Sequence, residues 1–466
     1  MINDPDREHF EGDAPQYNSN RSVIVARFLQ WFWMWMFFIV ITAEASAAGR
    51  YLIVKYPVSG VPSELQMEVT YTLWLPDEVQ TFRGIIVHQH GCGTGACQGG
   101  ETAAYDLHWQ QLAKKWDCAL LGPSYHQAEQ QNCRLWCDPR NGSAQTFLRS
   151  LDDFAVQSQH PELKQVPWCL WGHSGGAFWG SLMQTLYPER IVALWHRSGG
   201  AINAWAKDEI PRPQFPPAAF GIPTMCNPGI KERNDPRMVG AWTAGTGLFH
   251  LYRTQGAPIG FAADPRSSHE CADSRYLAIP FFDACLEQRL PEIGATSPRL
   301  KPVDLKQSWL STLAGDKPVP AAEYKGLENE SVWLPNAKFA ALWEEYLRVG
   351  AVSDTTPPAA PTDVRQQVNA DGSVKLTWDA AADFESGLKC FLIRRDGQPI
   401  GQVPEKPIGK FGRPLFQSMS YHDTPEKPLP EMAFVDSTAQ PGSKHVYEVI
   451  SVNSVGLESA SAKPGK

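Results

Sequence analysis

Short apolar runs alternate with segments of helical spacing through the first two thirds of the chain. The run Gly84 to Gln89, with the sequence GIIVHQ, is rich in β-branched residues, as expected of a buried strand. Comparable runs follow at 118–125, 168–171, 190–195, 222–226 and 258–262. Strands that alternate with helix-length segments predict a mostly parallel sheet with helices on both faces. The predicted fold class is therefore α/β, doubly wound.

The segments between these runs show the spacing of amphipathic helices. Apolar residues recur every three or four positions in 105–116, 144–158 and 276–285. Ahead of them, residues 50–75 alternate apolar and polar side chains, which predicts a pair of antiparallel strands at a sheet edge. Residues 301–350 are predicted to form a helical tail because Phe339, Trp343 and Leu347 share one helical face.

The pattern changes after a proline-containing segment at 351–361, which is predicted to be an extended, semi-rigid linker. Beyond it, alternating runs such as 374–378 and 446–452 are separated by turn signals, which is typical of an all-β sandwich. The predicted organisation is a leader at 1–48, an α/β domain at 49–350, the linker, and a β domain at 362–466.

The N-terminal leader has the features of an export signal. Arg21 and Arg27 precede an apolar run from Phe28 to Thr42, and Ala45-Ser46-Ala47 then fits a cleavage site. These features predict a secreted, periplasmic or extracellular protein. The alternative is an uncleaved signal anchor, in which case the protein would be attached to a membrane.

Composition narrows the classes of partner. The chain of 466 residues is 43% hydrophobic and 20% charged, which is typical of a globular protein, and its net charge is −8. An acidic chain without a basic stripe argues against nucleic acid as a partner.

Ten cysteines in an exported chain suggest disulfides. Three pairs are close enough in sequence to close small loops, namely Cys92/Cys97, Cys133/Cys137 and Cys271/Cys285. Cys118, Cys169 and Cys226 lie in apolar runs and are predicted to be buried thiols. The cysteine and histidine spacing does not match a zinc site, so no metal is predicted.

The sequence Gly172-His173-Ser174-Gly175-Gly176 stands between a predicted strand and a predicted helix. G-x-S-x-G in this context is typical of a nucleophile elbow, in which a tight turn presents the serine hydroxyl at the end of the sheet. The predicted nucleophile is Ser174. The N–H of Gly175 is predicted to help stabilise a developing oxyanion.

A nucleophilic serine needs a base and a carboxylate, which follow in the order Ser, acid, His in the elbow fold. His269 follows the 258–262 run and precedes a predicted helix, where the imidazole must lie to reach Ser174. For the acid, Asp235 is preferred in the loop after the 222–226 run, with Glu232 and Asp264 as alternatives.

The second oxyanion donor is predicted in the loop that follows GIIVHQ, with the sequence His90-Gly91-Cys92-Gly93. Glycines let the backbone approach a substrate carbonyl. The donor N–H is expected at Gly91, Cys92 or Gly93, and a Cys92–Cys97 disulfide would stiffen this loop.

Together, the HGCG loop, the GHSGG elbow, a post-strand acid and His269 resemble the α/β-hydrolase superfamily over residues 50–350. The HGC element and the Cys/Trp loop at 132–137 are also similar to those of secreted polyhydroxybutyrate depolymerases and feruloyl esterases. This resemblance implies a secreted esterase that needs no cofactor.

The sequences PPAAPTDV, VKLTWD, IRRDG and YEVISVNSVGLES resemble those of a fibronectin type III domain over 357–462. The resemblance implies that Trp378 and Tyr447 are core residues of a β-sandwich. Such modules occur as spacers and adhesion units, so they say little about chemistry.

The predicted function is that of a serine-dependent carboxylic ester hydrolase without metal or organic cofactor. Polymer-linked and carbohydrate-linked esters are among the candidate substrates, because four tryptophans near the site, Trp136, Trp171, Trp179 and Trp205, suggest stacking on rings, although core packing is the preferred role of Trp171. A serine peptidase of the same fold and a catalytically inactive binding or adhesion protein are the alternatives.

Overall fold

A computed structural model describes residues 49–271, 273–293, 299–408, 414–417 and 431–465. The predicted leader at 1–48 lies outside the described residues. Within these ranges, no helix combines the length and the apolar character that crossing a membrane requires.

Most predicted elements are present. The strands are β1 (Gly49–Tyr56), β2 (Val69–Pro76), β3 (Gly84–Gln89), β4 (Cys118–Tyr125), β5 (Trp168–His173), β6 (Ile191–Arg197), β7 (Thr224–Asn227), β8 (Ile259–Phe261), β9 (Trp309–Ser311), β10 (Val319–Pro320), β11 (Val332–Leu334), β12 (Thr362–Val368), β13 (Val374–Asp379), β14 (Leu388–Arg395), β15 (Gln398–Val403), β16 (Ala433–Asp436) and β17 (Tyr447–Asn453). The helices are α1 (Thr94–Ala103), α2 (Leu107–Lys115), α3 (Arg134–Cys137), α4 (Ser143–Ser158), α5 (Gly175–Leu186), α6 (Ile202–Ala206), α7 (Val239–Arg253), α8 (Arg275–Arg289) and α9 (Ala337–Val349).

The first eight strands form one sheet in the order β1-β2-β4-β3-β5-β6-β7-β8. β1 pairs antiparallel with β2, and β2 pairs antiparallel with β4. From β4 to β8 every pairing is parallel. The carboxyl ends of these parallel strands therefore meet at one edge, where ligand sites of open α/β sheets lie. The prediction of a mostly parallel sheet with an antiparallel edge is confirmed.

The central strands are buried on both faces, and successive residues belong to different cores. Ile86 packs in one hydrophobic cluster, whereas its neighbours Ile85 and Val87 pack in the other. Because side chains alternate across a strand, this pattern shows that helices cover each face. Trp109 of α2 lies in the first cluster and Phe147 of α4 in the second.

The segment 301–350 differs from the predicted helical tail. Only its last part, α9, is α-helical, and the rest contains three short 3₁₀ turns and a small antiparallel sheet in the order β10-β9-β11. Prolines at 302, 318, 320 and 335 explain this difference, because proline removes a backbone donor and clashes within a helix interior. The helical spacing of Phe339 and Trp343 correctly located α9, where both are buried.

The C-terminal strands form two antiparallel sheets, β12-β13-β16 and β15-β14-β17. Trp378 and Tyr447 are each 1% exposed and lie in the core between these sheets. Their predicted core role is confirmed, and the domain has the fibronectin type III-like sandwich architecture.

The sandwich packs directly on helix α2 of the α/β domain. Leu107, the first residue of α2, is 2% exposed and belongs to the hydrophobic core of the sandwich. Next to it, His108 Nε2 donates a hydrogen bond to the Phe384 carbonyl oxygen at 2.8 Å. The linker is also tied down, because the Asp354 carboxylate accepts hydrogen bonds from Ser386 Oγ and Asn453 Nδ2.

Candidate active site

The elbow lies at the carboxyl end of β5, where Ser174 joins the strand to α5. Ser174 has φ 54° and ψ −112°, a strained conformation for a residue with a side chain. Its N–H donates to the Arg197 carbonyl oxygen at 2.9 Å, which ties the turn to the end of β6. The side chain of Ser174 is half-buried at the sheet edge. Strain supported by such a bond is typical of a functional turn.

A chain of hydrogen bonds runs from this serine through His269 to Glu232. The distance from Ser174 Oγ to His269 Nε2 is 3.0 Å, and His269 Nδ1 lies 2.6 Å from Glu232 Oε1. The His269 side chain is 15% exposed, while that of Glu232 is fully buried. A carboxylate accepts only, so Nδ1 carries the proton and Nε2 is available to accept from the serine hydroxyl.

In the part of the chain that the structure describes, the preferred acid, Asp235, makes no hydrogen bond to the imidazole. Its carboxylate accepts hydrogen bonds from the Arg237 backbone and guanidinium, which lower the pKa of Asp235. The alternative Asp264 is also occupied, since its Oδ1 accepts from the Arg266 N–H at 2.9 Å. Among the three acids considered from sequence, the structure therefore places Glu232 in the position expected of the acid.

Main-chain hydrogen bonds bring Glu232 to His269. Ile230 N–H donates to the Asp264 carbonyl oxygen at 2.9 Å, and Lys231 N–H donates to that of Ser267 at 3.1 Å. The loop after β7 and the loop after β8 are therefore paired over a short stretch just ahead of both side chains. Glu232 lies in a 3₁₀ turn that begins in this paired stretch and points inward, whereas Asp235 lies beyond the end of that turn.

The predicted oxyanion loop lies against the start of α5. The backbone nitrogen of Cys92 is 3.2 Å from the point that a Cβ on Gly175 would occupy, and the Cys92 sulfur is 2.3 Å from it. A side chain at residue 175 would therefore collide with Cys92. Gly175 N–H stands at the first position of the helix, where amides lack intrahelical acceptors. Gly91 packs on Ser174 itself, with 2.9 Å between its own Cβ point and Ser174 Cβ.

The disulfide in this region joins Cys92 to Cys133, at the start of α3. The expected short-range Cys92–Cys97 and Cys133–Cys137 pairs are therefore wrong, and the side chain of Cys97 lies outside the described residues. Cys285 is a buried free thiol, so the Cys271–Cys285 pair is not formed either. The disulfide spans 41 residues because α3 packs beside the oxyanion loop in space.

The predicted buried thiols are present. Cys118, Cys169 and Cys226 are free and buried, and burial raises the pKa of each thiol. Low reactivity follows, because the thiolate is the nucleophilic form.

The four tryptophans suggested for ring stacking are in the core. None of Trp136, Trp171, Trp179 and Trp205 is more than 5% exposed. Trp136 stacks on Tyr125 with 4.5 Å between ring centroids, and Trp179 donates through Nε1 to Ser143 Oγ. The suggestion that they stack on substrate rings is therefore wrong.

Two residues that the sequence analysis did not single out contact the loop that carries His269. His173, directly before the serine, donates through Nε2 to the His269 carbonyl oxygen at 2.6 Å. Burial lowers the pKa of His173 well below its ordinary range, which keeps the ring neutral. Arg197, the last residue of β6, is fully buried and donates to the same loop. The sequence did contain a signal for Arg197, because a charged residue at the carboxyl end of a buried parallel strand is unusual.

The strand order, the elbow after β5 and the following acid and histidine loops define an α/β-hydrolase fold, here with a fibronectin type III-like domain at its C-terminus. This is the fold class that the sequence motifs predicted.

Neither a protein-family model nor a curated protein sequence matches the chain. Among solved structures, it is similar to an S-formylglutathione hydrolase from Agrobacterium tumefaciens, with 13% identity, 53% of this chain and 96% of that chain covered, and a TM-score of 0.34. A ferulic acid esterase has 12% identity, covers 52% and 96%, and scores 0.34. The central fibronectin-III array of RIM-binding protein has 14% identity, covers 23% and 32%, and scores 0.16. Because these scores are low, the fold assignment depends on the strand order and the elbow.

Proposed function

We propose that this protein is a serine-dependent carboxylic ester hydrolase in which Ser174, His269 and Glu232 form the catalytic triad. The observation that carries the proposal is the continuous chain of hydrogen bonds from Ser174 Oγ to the buried Glu232 carboxylate. It starts at a serine with the strained backbone of a nucleophile elbow. Serine, imidazole and carboxylate in this order are the arrangement that nucleophilic acyl transfer needs.

In the proposed reaction, Ser174 Oγ attacks the ester carbonyl carbon while His269 Nε2 takes the hydroxyl proton. The imidazolium that forms is stabilised by Glu232 through Nδ1. The negative charge on the former carbonyl oxygen is stabilised by the N–H groups of Cys92 and Gly175; the Cys92 nitrogen lies 3.2 Å from the point that a Cβ on Gly175 would occupy. The protonated imidazole then gives its proton to the leaving alkoxide, and the alcohol departs from the acyl-enzyme.

Hydrolysis of the acyl-enzyme uses the same groups in reverse. His269 Nε2 removes a proton from water, the hydroxide attacks the acyl carbon, and the proton returns to Ser174 Oγ as the acid leaves. The chain's own residues supply the nucleophile, the base and the oxyanion donors in this scheme.

The proposal extends to esters of any alcohol, and polymer-linked and carbohydrate-linked esters remain substrates to screen. The buried tryptophans favour neither class. We also propose that the leader directs export, and the Cys92–Cys133 disulfide supports this because disulfides persist in oxidising compartments.

The test uses a fluorophosphonate probe and short-chain nitrophenyl esters. Wild type should be labelled and should hydrolyse the esters, and Ser174→Ala should do neither. Ser198→Ala is a matched control, because Ser198 also has a positive φ, 51°, at the end of the neighbouring strand. Its Oγ is buried and makes no hydrogen bond within the described residues, so the control should behave as wild type. Labelling that persists in Ser174→Ala would refute the assignment of the nucleophile.

A further inference from the structure

Arg197 is a fully buried guanidinium, 0% exposed, at the carboxyl end of β6. A buried charge is expensive unless its donors are satisfied, so the groups that it contacts are those it holds in place. Its nearest carboxylate, Asp264, is 3.8 Å away, beyond hydrogen-bond distance. The guanidinium is therefore satisfied mainly by neutral oxygens, including the Asn227 carbonyl oxygen at 2.9 Å.

Most of these oxygens belong to the loop that carries His269. Arg197 Nη2 donates to Ser267 Oγ at 2.6 Å and to the Ser268 carbonyl oxygen at 3.2 Å. Nε and Nη2 both donate to the Glu270 carbonyl oxygen, at 3.0 and 2.5 Å. The bonds thus reach the two residues before His269 and the residue after it.

The same residue also contacts the nucleophile's backbone. The Arg197 carbonyl oxygen accepts the Ser174 N–H at 2.9 Å. One residue therefore connects the strained turn that carries the serine to the loop that carries the imidazole. The 3.0 Å distance between Ser174 Oγ and His269 Nε2 depends on the relative position of these two segments.

We propose that Arg197 is a positioning residue, which holds the His269 loop in register with Ser174 through its guanidinium and carbonyl oxygen. The expected kinetic effect rests on the proposed hydrolase activity. The structural part of the inference, that Arg197 holds the His269 loop in place, does not rest on it. Within the described residues, no hydrogen bond joins the Arg197 guanidinium to Ser174 Oγ or to the His269 ring. Arg197 therefore acts through residues 267–270 of the loop.

The test variant is Arg197→Lys, which keeps the positive charge but replaces the planar fork by one ammonium. Arg253→Lys is the matched control. Arg253 is 4% exposed and also donates to neutral oxygens, those of Ser331 and Ala257, away from the His269 loop. Any general cost of placing lysine at a buried arginine position is shared by both variants.

The kinetic readout is hydrolysis of nitrophenyl acetate from pH 5 to 9, normalised to active sites by fluorophosphonate titration. A misplacement of about 1 Å typically costs about 10²-fold in rate, so we expect kcat of Arg197→Lys to fall by about 10- to 100-fold. KM should stay within about twofold, because binding of the ester is unaffected.

The pH profile separates positioning from simple destabilisation. A looser loop moves the imidazole away from Glu232, so the pH dependence of kcat/KM should differ between Arg197→Lys and Arg253→Lys. Within the described residues, the charged and titratable groups on the segments around His269 include, besides Glu232, Asp235 on the loop after β7, His173 on β5, Arg197 on β6, and Asp264 and Glu270 on its own loop. Arg197→Lys leaves all their charges unchanged, so a shift reports geometry.

A second readout does not need activity. The short Nδ1–Glu232 hydrogen bond should give a low-field proton NMR signal in wild type, which should persist in Arg253→Lys and weaken or disappear in Arg197→Lys. This signal tests Arg197 even if wild type hydrolyses no ester, so failure of the proposed function and of this inference are distinguishable.

If Arg197→Lys does not fold, Ser267→Ala decides, since it removes one acceptor of the guanidinium at a loop position that is only 1% exposed. It should change kcat, the pH profile and the NMR signal as Arg197→Lys does, by a smaller amount. Kinetics, pH profile and NMR signal equal to those of Arg253→Lys would overturn the proposal.

Discussion

Glu232→Gln is the substitution that most directly tests the order of the proposed triad. The side chain is fully buried and 2.6 Å from His269 Nδ1, so glutamine keeps the size and an acceptor oxygen but removes the charge. What is lost is the stabilisation of the imidazolium that forms when Ser174 attacks. Two unit charges roughly 4 Å apart at an effective dielectric constant of about 20 interact by about 4 kcal/mol. At about 1.4 kcal/mol per tenfold change, kcat should fall by about 10³-fold.

The assay is nitrophenyl acetate hydrolysis with active sites counted by fluorophosphonate, and KM should change little. Asp235→Asn is the control, because Asp235 lies three residues away and pairs with Arg237 on the surface. It should retain activity within about threefold, as surface ion pairs contribute little. A large loss in Asp235→Asn together with wild-type rates in Glu232→Gln would refute the reasoning.

Three further predictions follow from the structure. Gly175→Ala should lower kcat by about 10²–10³-fold, since its Cβ would meet the Cys92 sulfur at 2.3 Å and displace an oxyanion donor; circular dichroism should show an intact fold. Burial lowers the pKa of His90 and of His108 to about 3 in the folded protein. As the pH falls below 6.5, these two imidazoles are therefore protonated in the unfolded chain before they are protonated in the folded protein. The free energy of unfolding should therefore decrease by up to about 1.4 kcal/mol per pH unit for each group between pH 6.5 and 3, and a melting temperature that is constant from pH 7 to 4.5 would contradict this. Leu107→Ala should lower the free energy of unfolding by about 2–5 kcal/mol in urea denaturation, and a loss below about 0.5 kcal/mol would show that the sandwich does not depend on α2.

The sequence predicted most of the sheet, and its preferred nucleophile and base are two of the three residues of the proposed triad. GIIVHQ and the GHSGG elbow could be located because their signals are local: an apolar run, then small residues at a turn. His269 could be located from chain order, which places a histidine after the last strand. In each case the evidence lay within about ten residues of the position predicted.

The acid could not be chosen in this way. Glu232 and Asp235 lie in one loop, three residues apart, and either carboxylate suits the chemistry. Which of the two carboxylates faces the imidazole is decided by the hydrogen bonds from Ile230 and Lys231 to Asp264 and Ser267. These acceptors lie in a loop more than thirty positions further along the chain. The pairing of these two loops cannot be predicted from the residues next to Glu232 in the sequence.

The disulfide was missed for a similar reason. Short loops are entropically the easiest to close, so neighbouring cysteines were favoured over Cys92 and Cys133. Tertiary packing of α3 on the oxyanion loop outweighed this preference. Likewise, the small sheet of β9 to β11 depends on packing against α9 and the main domain, which periodicity alone does not reveal.

The Cys92–Cys133 bond has a practical meaning for handling the protein. It ties the loop beside the serine to α3, and both of its cysteines pack against one of the two large hydrophobic cores. Reduction removes a cross-link between two residues that are 41 positions apart in the sequence, so the reduced protein should melt at a lower temperature and turn over substrate more slowly than the oxidised protein. Low activity in a preparation can therefore come from reduction of this one disulfide. Titration of free thiols, done together with titration of active sites, would detect the reduction.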